Sequence, residues 1–259
     1  MNLEEIEILN GGNMNSPKRI GDKVHRKANE STATIHKLLN HVRAKGINWV
    51  PIPYGINDDE EIISFIPGEV PHAMPGWIWN DEVIECVAKA QRSWHDATED
   101  FEYLNEIWQF NSKTKIEVIC HNDFAPYNIV FENQKFNGVI DFDLCSPGSR
   151  LWDIAYTLYR FVPVMPFEKI EPNDEVSPFD IGNMMRRIEL FVQNYSNGQK
   201  EYSYSKNEIL AMIGERLDSI AEWTENFANE TNNEKLLENS RMYRRHSVWV
   251  NELNKTTAG

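Results

Sequence analysis

Residues 121–128 read His-Asn-Asp-Phe-Ala-Pro-Tyr-Asn, and residues 140–143 read Ile-Asp-Phe-Asp. The first stretch lies between the apolar runs Val118-Ile119-Cys120 and Ile129-Val130-Phe131. A buried strand does not tolerate such polar residues without partners, and a solvent loop has no need of flanking apolar runs. A hairpin made of Ile129-Val130-Phe131 and the run ending in Ile140-Asp141-Phe142-Asp143 would bring Asp123 and Asn128 close to Asp141. On that second strand Asp141 and Asp143 point to the same face, since side chains alternate. Carboxylate and amide oxygens converging at loop and strand ends suit a hard cation such as Mg²⁺. A carboxylate left free of metal could accept a proton from an attacking hydroxyl. Together these are the parts that phosphoryl transfer needs, a chemistry made mostly of positioning and charge neutralisation. Turns and caps favour the same residue types, so context has to decide.

The positioning elements follow from periodicity. Near the start, Glu5-Ile6-Glu7-Ile8-Leu9 and Asp22-Lys23-Val24-His25-Arg26-Lys27 alternate as strands do, separated by Gly11, Gly12 and Gly21. A helix is expected over 32–45, with Ser31 as N-cap, Ile35, Leu38, Leu39 and Val42 on one face, and Gly46 at its end. Two strands follow, 48–56 and 60–66, turning at Asn57-Asp58-Asp59. The stretch 67–77 holds three prolines and two glycines and reads as a connector. Beyond it helices dominate, at about 81–97, 150–160, 181–195, 206–228 and 233–252, interrupted by β structure only between Ile119 and Phe142. The expected architecture is α+β and two-lobed. A small antiparallel sheet lobe with one helix (residues 1–66) leads through a hinge at about 64–70 into a larger, mainly helical lobe (67–259) that carries one hairpin.

Composition sets outer bounds. The 259 residues include 8 Trp, 12 Phe and 9 Tyr and are 41% hydrophobic, enough material for two lobes around a cleft. No run approaches the roughly 18 apolar residues of a membrane span, and the acidic first residues do not resemble a secretory signal. Cys86, Cys120 and Cys145 are odd in number and far apart, as expected of reduced thiols in a cytoplasmic protein. A net charge of −14 with no basic stripe argues against a nucleic-acid partner. It favours a cationic small molecule only mildly, because acidic surfaces also serve solubility.

The pattern H-x-D-x-x-x-x-N, with an Asp thirteen residues after the Asn, resembles the catalytic loop and metal-binding segment of kinase-fold phosphotransferases. The wording of 119–160, with Pro147-Gly148-Ser149-Arg150-Leu151-Trp152-Asp153 after the hairpin, is most similar to the aminoglycoside phosphotransferase and choline kinase family. Protein kinases carry HRD and DFG where this chain has HND and DFD. The resemblance implies a protein-kinase-like fold, ATP as co-substrate and Mg²⁺ as cofactor. It implies Asp123 as catalytic base and Asn128 and Asp141 as metal ligands. Asp143 is either a second metal ligand or structural, and His121 and Asp153 brace the catalytic loop.

At the nucleotide end the family pattern asks for a cation on the third strand. Val24 shares a face with Arg26, so alternation favours Arg26 over Lys27, with Val24 lying over the adenine. The family usually has Lys at this place. It also usually has a Glu on the following helix, yet 32–45 contains none; His36 lies near the expected position, and Glu30 just precedes the helix as a candidate substitute. Gly11 and Gly12 could cover phosphates with backbone N–H groups, though a plain turn explains them equally well. Phe65 and Ile66 are the hinge candidates for adenine, by position.

The acceptor is expected beside Asp123, against the later helices. There Glu215, Asp218, Glu222 and Glu225 interleave with Trp223 and Phe227, which would suit a cationic amine such as an aminoglycoside or equally form an ordinary helix surface. Two other function classes compete. One is a catalytically weak or inactive relative acting as a binding or immunity protein. The other is a metal-dependent hydrolase using His121, Asp123 and Asp141, which the scattered histidines disfavour.

Overall fold

The computed structural model of the chain describes residues 6–9, 17–71, 73–110, 114–164 and 180–257. Gly11 and Gly12 lie outside them. The chain divides into two compact units.

Unit one comprises Met1–Pro71, Ser93–Asp123 and Tyr127–Ser149. Strands β1 (Ile6–Ile8), β2 (Lys18–Ile20), β3 (Lys23–Lys27), β4 (Pro53–Asn57) and β5 (Glu60–Ser64) form an antiparallel sheet in the order β1-β2-β3-β5-β4. Its tight turns follow from local chemistry. β2 and β3 are joined by Gly21-Asp22 with Gly21 at φ 61°, and β4 and β5 by Asp58-Asp59 with Asp58 at φ 53°. The Lys-Arg-Ile of β2 carries too little alternation to be read as a strand, and neighbours on both sides hold it there.

Helix α1 (Thr32–Ala44) buries Ile35, Leu38, Leu39 and Val42, the face its spacing predicts. Ser31 does not cap it through its side chain. The amide and hydroxyl of Ser31 instead donate to Asn29 Oδ1, and the Asn29 amide donates to Thr32 Oγ1.

The unit also holds two small sheets. In one, β6 (Val118–Cys120) pairs with β9 (Ser146–Gly148). In the other, β7 (Ile129–Glu132) pairs with β8 (Lys135–Val139). The latter is the expected hairpin, closed by Asn133-Gln134 with both residues at positive φ, 51° and 63°. β8 stops at Val139, so the strand does not run through Asp143 as the spacing suggested, and Asp141 adopts φ 62°. The connector docks on this hairpin, since Glu69 and Phe131 exchange backbone hydrogen bonds of 2.8 Å.

Unit two comprises His72–Arg92, Phe124–Pro126 and Arg150–Gly259. Helix α2 (Asp81–Thr98) begins in unit two and continues into unit one, and α3 (Arg150–Phe161), α4 (Ile181–Ser196), α5 (Lys206–Thr231) and α6 (Glu234–Thr257) follow. Ser205 and Glu208 form a reciprocal capping box at the start of α5, and Asn232 ends it in the left-handed conformation. α5 packs along α6 and against α3, burying Ile209, Ile213 and Leu217. Arg187 of α4 is buried, and its Nη atoms donate to Trp79 O, Asp81 and Phe161 O. Among the described residues no helix is long and apolar enough to cross a membrane.

Candidate active site

The loop between β6 and β7 is held from beneath. Trp94 is fully buried, donates from Nε1 to Ile119 O at 2.8 Å, and packs against Phe142. His121, also fully buried, lies against the same Phe142 ring at 4.8 Å. Asn122 takes a left-handed φ of 65°, which asparagine tolerates better than most residues. Its Nδ2 donates to Leu144 O and to Ser146 Oγ, both at 2.8 Å, tying this loop to the segment after Asp143.

Asp123 accepts on both oxygens, from Tyr127 OH at 2.7 Å and from Asn128 Nδ2 at 2.8 Å. Each carboxylate oxygen retains a further lone pair, so the group can still accept a proton from a third donor. Asn128 is nearly buried, its Nδ2 also reaches Asp123 O, and its backbone O accepts from Ile140 N at 2.9 Å. This last bond joins the loop to the residue just before Asp141.

Asp141 keeps 48% of its side chain open to solvent, while protein crowds its other side. The resulting loss of solvation pushes its pKa up to about 6, with Asp143 and Asp123 adding and Arg26 opposing. Arg26 of β3 meets Asp143 with Nη2 at 2.6 Å and Nη1 at 3.2 Å, and approaches Asp141 to 3.9 Å. Lys27, the competing cation, is exposed.

The partner of Arg26 comes from an unexpected element. Glu61 of β5 sits directly opposite it in the antiparallel register and accepts from its Nε. His36 of α1 meets the other Glu61 oxygen at 2.9 Å. Burial works to raise the Glu61 pKa, but the His36 bond and Arg26 outweigh it and hold the carboxyl below its ordinary value. Burial likewise opposes the charge on Arg26, and Asp143 and Glu61 overcome it, so the guanidinium pKa is raised. Glu30 is exposed and is not the partner of Arg26.

The remaining candidates are spread out. Val24 is half-buried, two residues before Arg26. The Phe65 N–H donates to Asp22 O at 2.8 Å and its ring carries the Arg19 guanidinium at 3.9 Å, so that amide is engaged within the sheet. The side chain of Ile66 lies over Gly138. Asp153 is fully buried in the first turn of α3, in unit two. On α5, Glu215, Asp218 and Glu222 are exposed, Glu225 pairs with Arg244, and Trp223 stacks on Phe227 at 5.5 Å.

The donor set can be tested for a cation. Among the described residues no three His, Cys, Asp or Glu side chains gather closely enough to hold a metal by themselves. Asn128 and Asp141 offer one amide and one carboxylate oxygen, which fits Mg²⁺ that takes its other ligands from phosphate and water. Asp143 is engaged by Arg26.

Residues 85–169 match the model of the phosphotransferase enzyme family, a region that holds the loop at 121–128, Asp141 and residues 147–153. The trifolitoxin immunity protein of Rhizobium leguminosarum bv. trifolii is 33% identical over 147 residues, covering 54% of this chain and 55% of that protein. The match thus spans about half the length of that curated relative. Choline kinase from Cryptosporidium parvum superposes with a TM-score of 0.68 over 98% of this chain and 91% of its own, at 12% identity. Amicoumacin kinase, solved with AMP-PNP, Ca²⁺ and Ami, superposes with a TM-score of 0.62 over 97% and 88%, at 14% identity. The chain has the protein-kinase-like fold of these enzymes, and the resemblance to the aminoglycoside phosphotransferase and choline kinase family is borne out.

Proposed function

We propose that this chain transfers the γ-phosphoryl group of ATP to a hydroxyl of a small molecule, with an amine-bearing compound such as an aminoglycoside as the acceptor class. The observation that carries the reading is the grouping, within one compact unit, of the Asp123–Asn128 pair, Asp141 and Arg26. Asp123 accepts the acceptor's proton, oriented by Tyr127 and Asn128 on its two oxygens. Asn128 and Asp141 would hold Mg²⁺, which when bound neutralises charge on the transferring phosphates. Arg26 binds phosphate oxygens, Val24 lies over the adenine, and the connector at Phe65 and Ile66 borders it. His121 and Asp153 brace the catalytic loop from buried positions. Cys86, Cys120 and Cys145 are not joined in disulfides, which suits the reducing cytoplasm.

A second reading is a kinase-fold chain that binds its ligand with little or no turnover, as an immunity protein would. The relative's name favours it, and so does the engagement of Arg26 by Asp143. The two separate in one experiment. ATP consumption is followed against a panel of amine-bearing alcohols for wild type and Asp123→Ala. The phosphotransferase reading expects turnover that Asp123→Ala abolishes while nucleotide binding persists, because the substitution removes the base and leaves Asn128 and Asp141. Tight acceptor binding without ATP consumption, unchanged by Asp123→Ala, would favour the second reading.

A further inference from the structure

Arg26 is tied along two separate edges. Its Nε donates to Glu61, while Nη1 and Nη2 make a two-point fork on Asp143. The two carboxylates differ in setting, since Glu61 keeps 1% of its side chain exposed and Asp143 keeps 27%. Glu61 is also fixed from behind, with His36 of α1 on its second oxygen. A guanidinium presents its Nε edge and its Nη fork to different partners at once, and the fork fits phosphate as well as carboxylate. A lysine ammonium has no such second edge.

We propose that Glu61, anchored to α1 by His36, is the positioning residue for Arg26 in nucleotide binding, and that Asp143 occupies the seat on Arg26 that phosphate takes over. The Nε edge stays on Glu61 through the exchange, so the guanidinium turns its fork from carboxylate to phosphate without losing its place. The usual helix glutamate is thereby replaced by a cross-strand one, with α1 coupled through a histidine. This inference rests on the phosphotransferase reading.

It assigns Asp143 a role opposite to that of a metal ligand. As a competitor for Arg26, Asp143 weakens nucleotide binding when no metal is present. As a ligand it would act on metal-free binding only by repelling phosphate, with or without Arg26, and would strengthen binding with Mg²⁺. The test is calorimetric titration of ATP in the presence of a chelator, with thermal melting of each variant to establish folding. Asp143→Asn is expected to tighten metal-free binding about tenfold, the scale of one charge-assisted bond. In an Arg26→Ala background the same substitution gains nothing, whereas simple relief of repulsion between Asp143 and phosphate would persist there. Glu61→Gln weakens binding by a similar factor. His36→Gln, at the more open end of the network, weakens it in the same direction and replaces Glu61→Gln if that variant does not fold. Unchanged or weaker metal-free binding by Asp143→Asn overturns the inference and leaves the phosphotransferase reading standing, as does a gain that survives Arg26→Ala. Wild type that binds no nucleotide under any condition overturns both.

Discussion

Asp141 combines a left-handed backbone with a carboxyl whose pKa is pushed up to about 6 by lost solvation and by the charge of Asp143. The unfolded value is 3.8, so the folded chain holds this proton more tightly. Stability from the protonated form is complete below 3.8 and is lost as pH rises through about 6. Asp141→Asn removes that titration. Its Tm is expected to gain on wild type between pH 4 and pH 7 and to level off above; a Tm difference constant with pH would contradict this. At this scale the sequence is legible where spacing brings residues together, as for Asp123, Asn128 and Asp141. Glu61 is not, because the run Glu60-Glu61-Ile62-Ile63 looks like a strand with exposed acidic residues. Only the register opposite Arg26 makes Glu61 a buried partner. Asn122 gives no signal either, since a single asparagine in a loop announces neither its left-handed φ nor its bonds to Leu144 and Ser146.

Among the elements, the β7–β8 hairpin is the part on which the site is assembled, and two glycines allow close approach to it, Gly68 of the connector and Gly138 of β8. Gly68 sits at φ 135°, and a Cβ there would stand 2.5 Å from Phe131 O, beside the Glu69–Phe131 bridge. A Cβ on Gly138 would meet Trp49 O at 2.7 Å. Gly55 has a similar φ of 143° but open space around it. Gly55→Ala therefore tests backbone strain alone, about 1–3 kcal/mol, while Gly68→Ala adds a clash with backbone. Urea denaturation is expected to show the larger loss for Gly68→Ala, and equal losses would mean that the connector yields freely. The hairpin and its turn were legible because apolar runs flank a polar tetrapeptide. β9 was not, since Ser146-Pro147-Gly148 lacks strand propensity and is held by pairing with β6. The early end of β8 was equally hidden, because Ile140-Asp141-Phe142-Asp143 alternates as a strand would.

For the molecule as a whole, motif and fold are legible to different depths along the chain. The family match ends at 169, and α4 to α6 carry mainly amphipathic periodicity. That pattern fixes which face is buried, as Ile209, Ile213 and Leu217 show, without naming an acceptor. If the acceptor is cationic, as proposed, the net charge of −14 would raise its local concentration, an effect that salt would screen. The central claim is that Asn128 and Asp141 form a magnesium and nucleotide site. It is tested most directly by calorimetric titration of ATP into wild type and Asp141→Ala, each with and without Mg²⁺. The account predicts that Mg²⁺ strengthens ATP binding to wild type and that Asp141→Ala loses this dependence. Binding that ignores Mg²⁺ in both proteins, or an Asp141→Ala variant that responds to Mg²⁺ as wild type does, would contradict it.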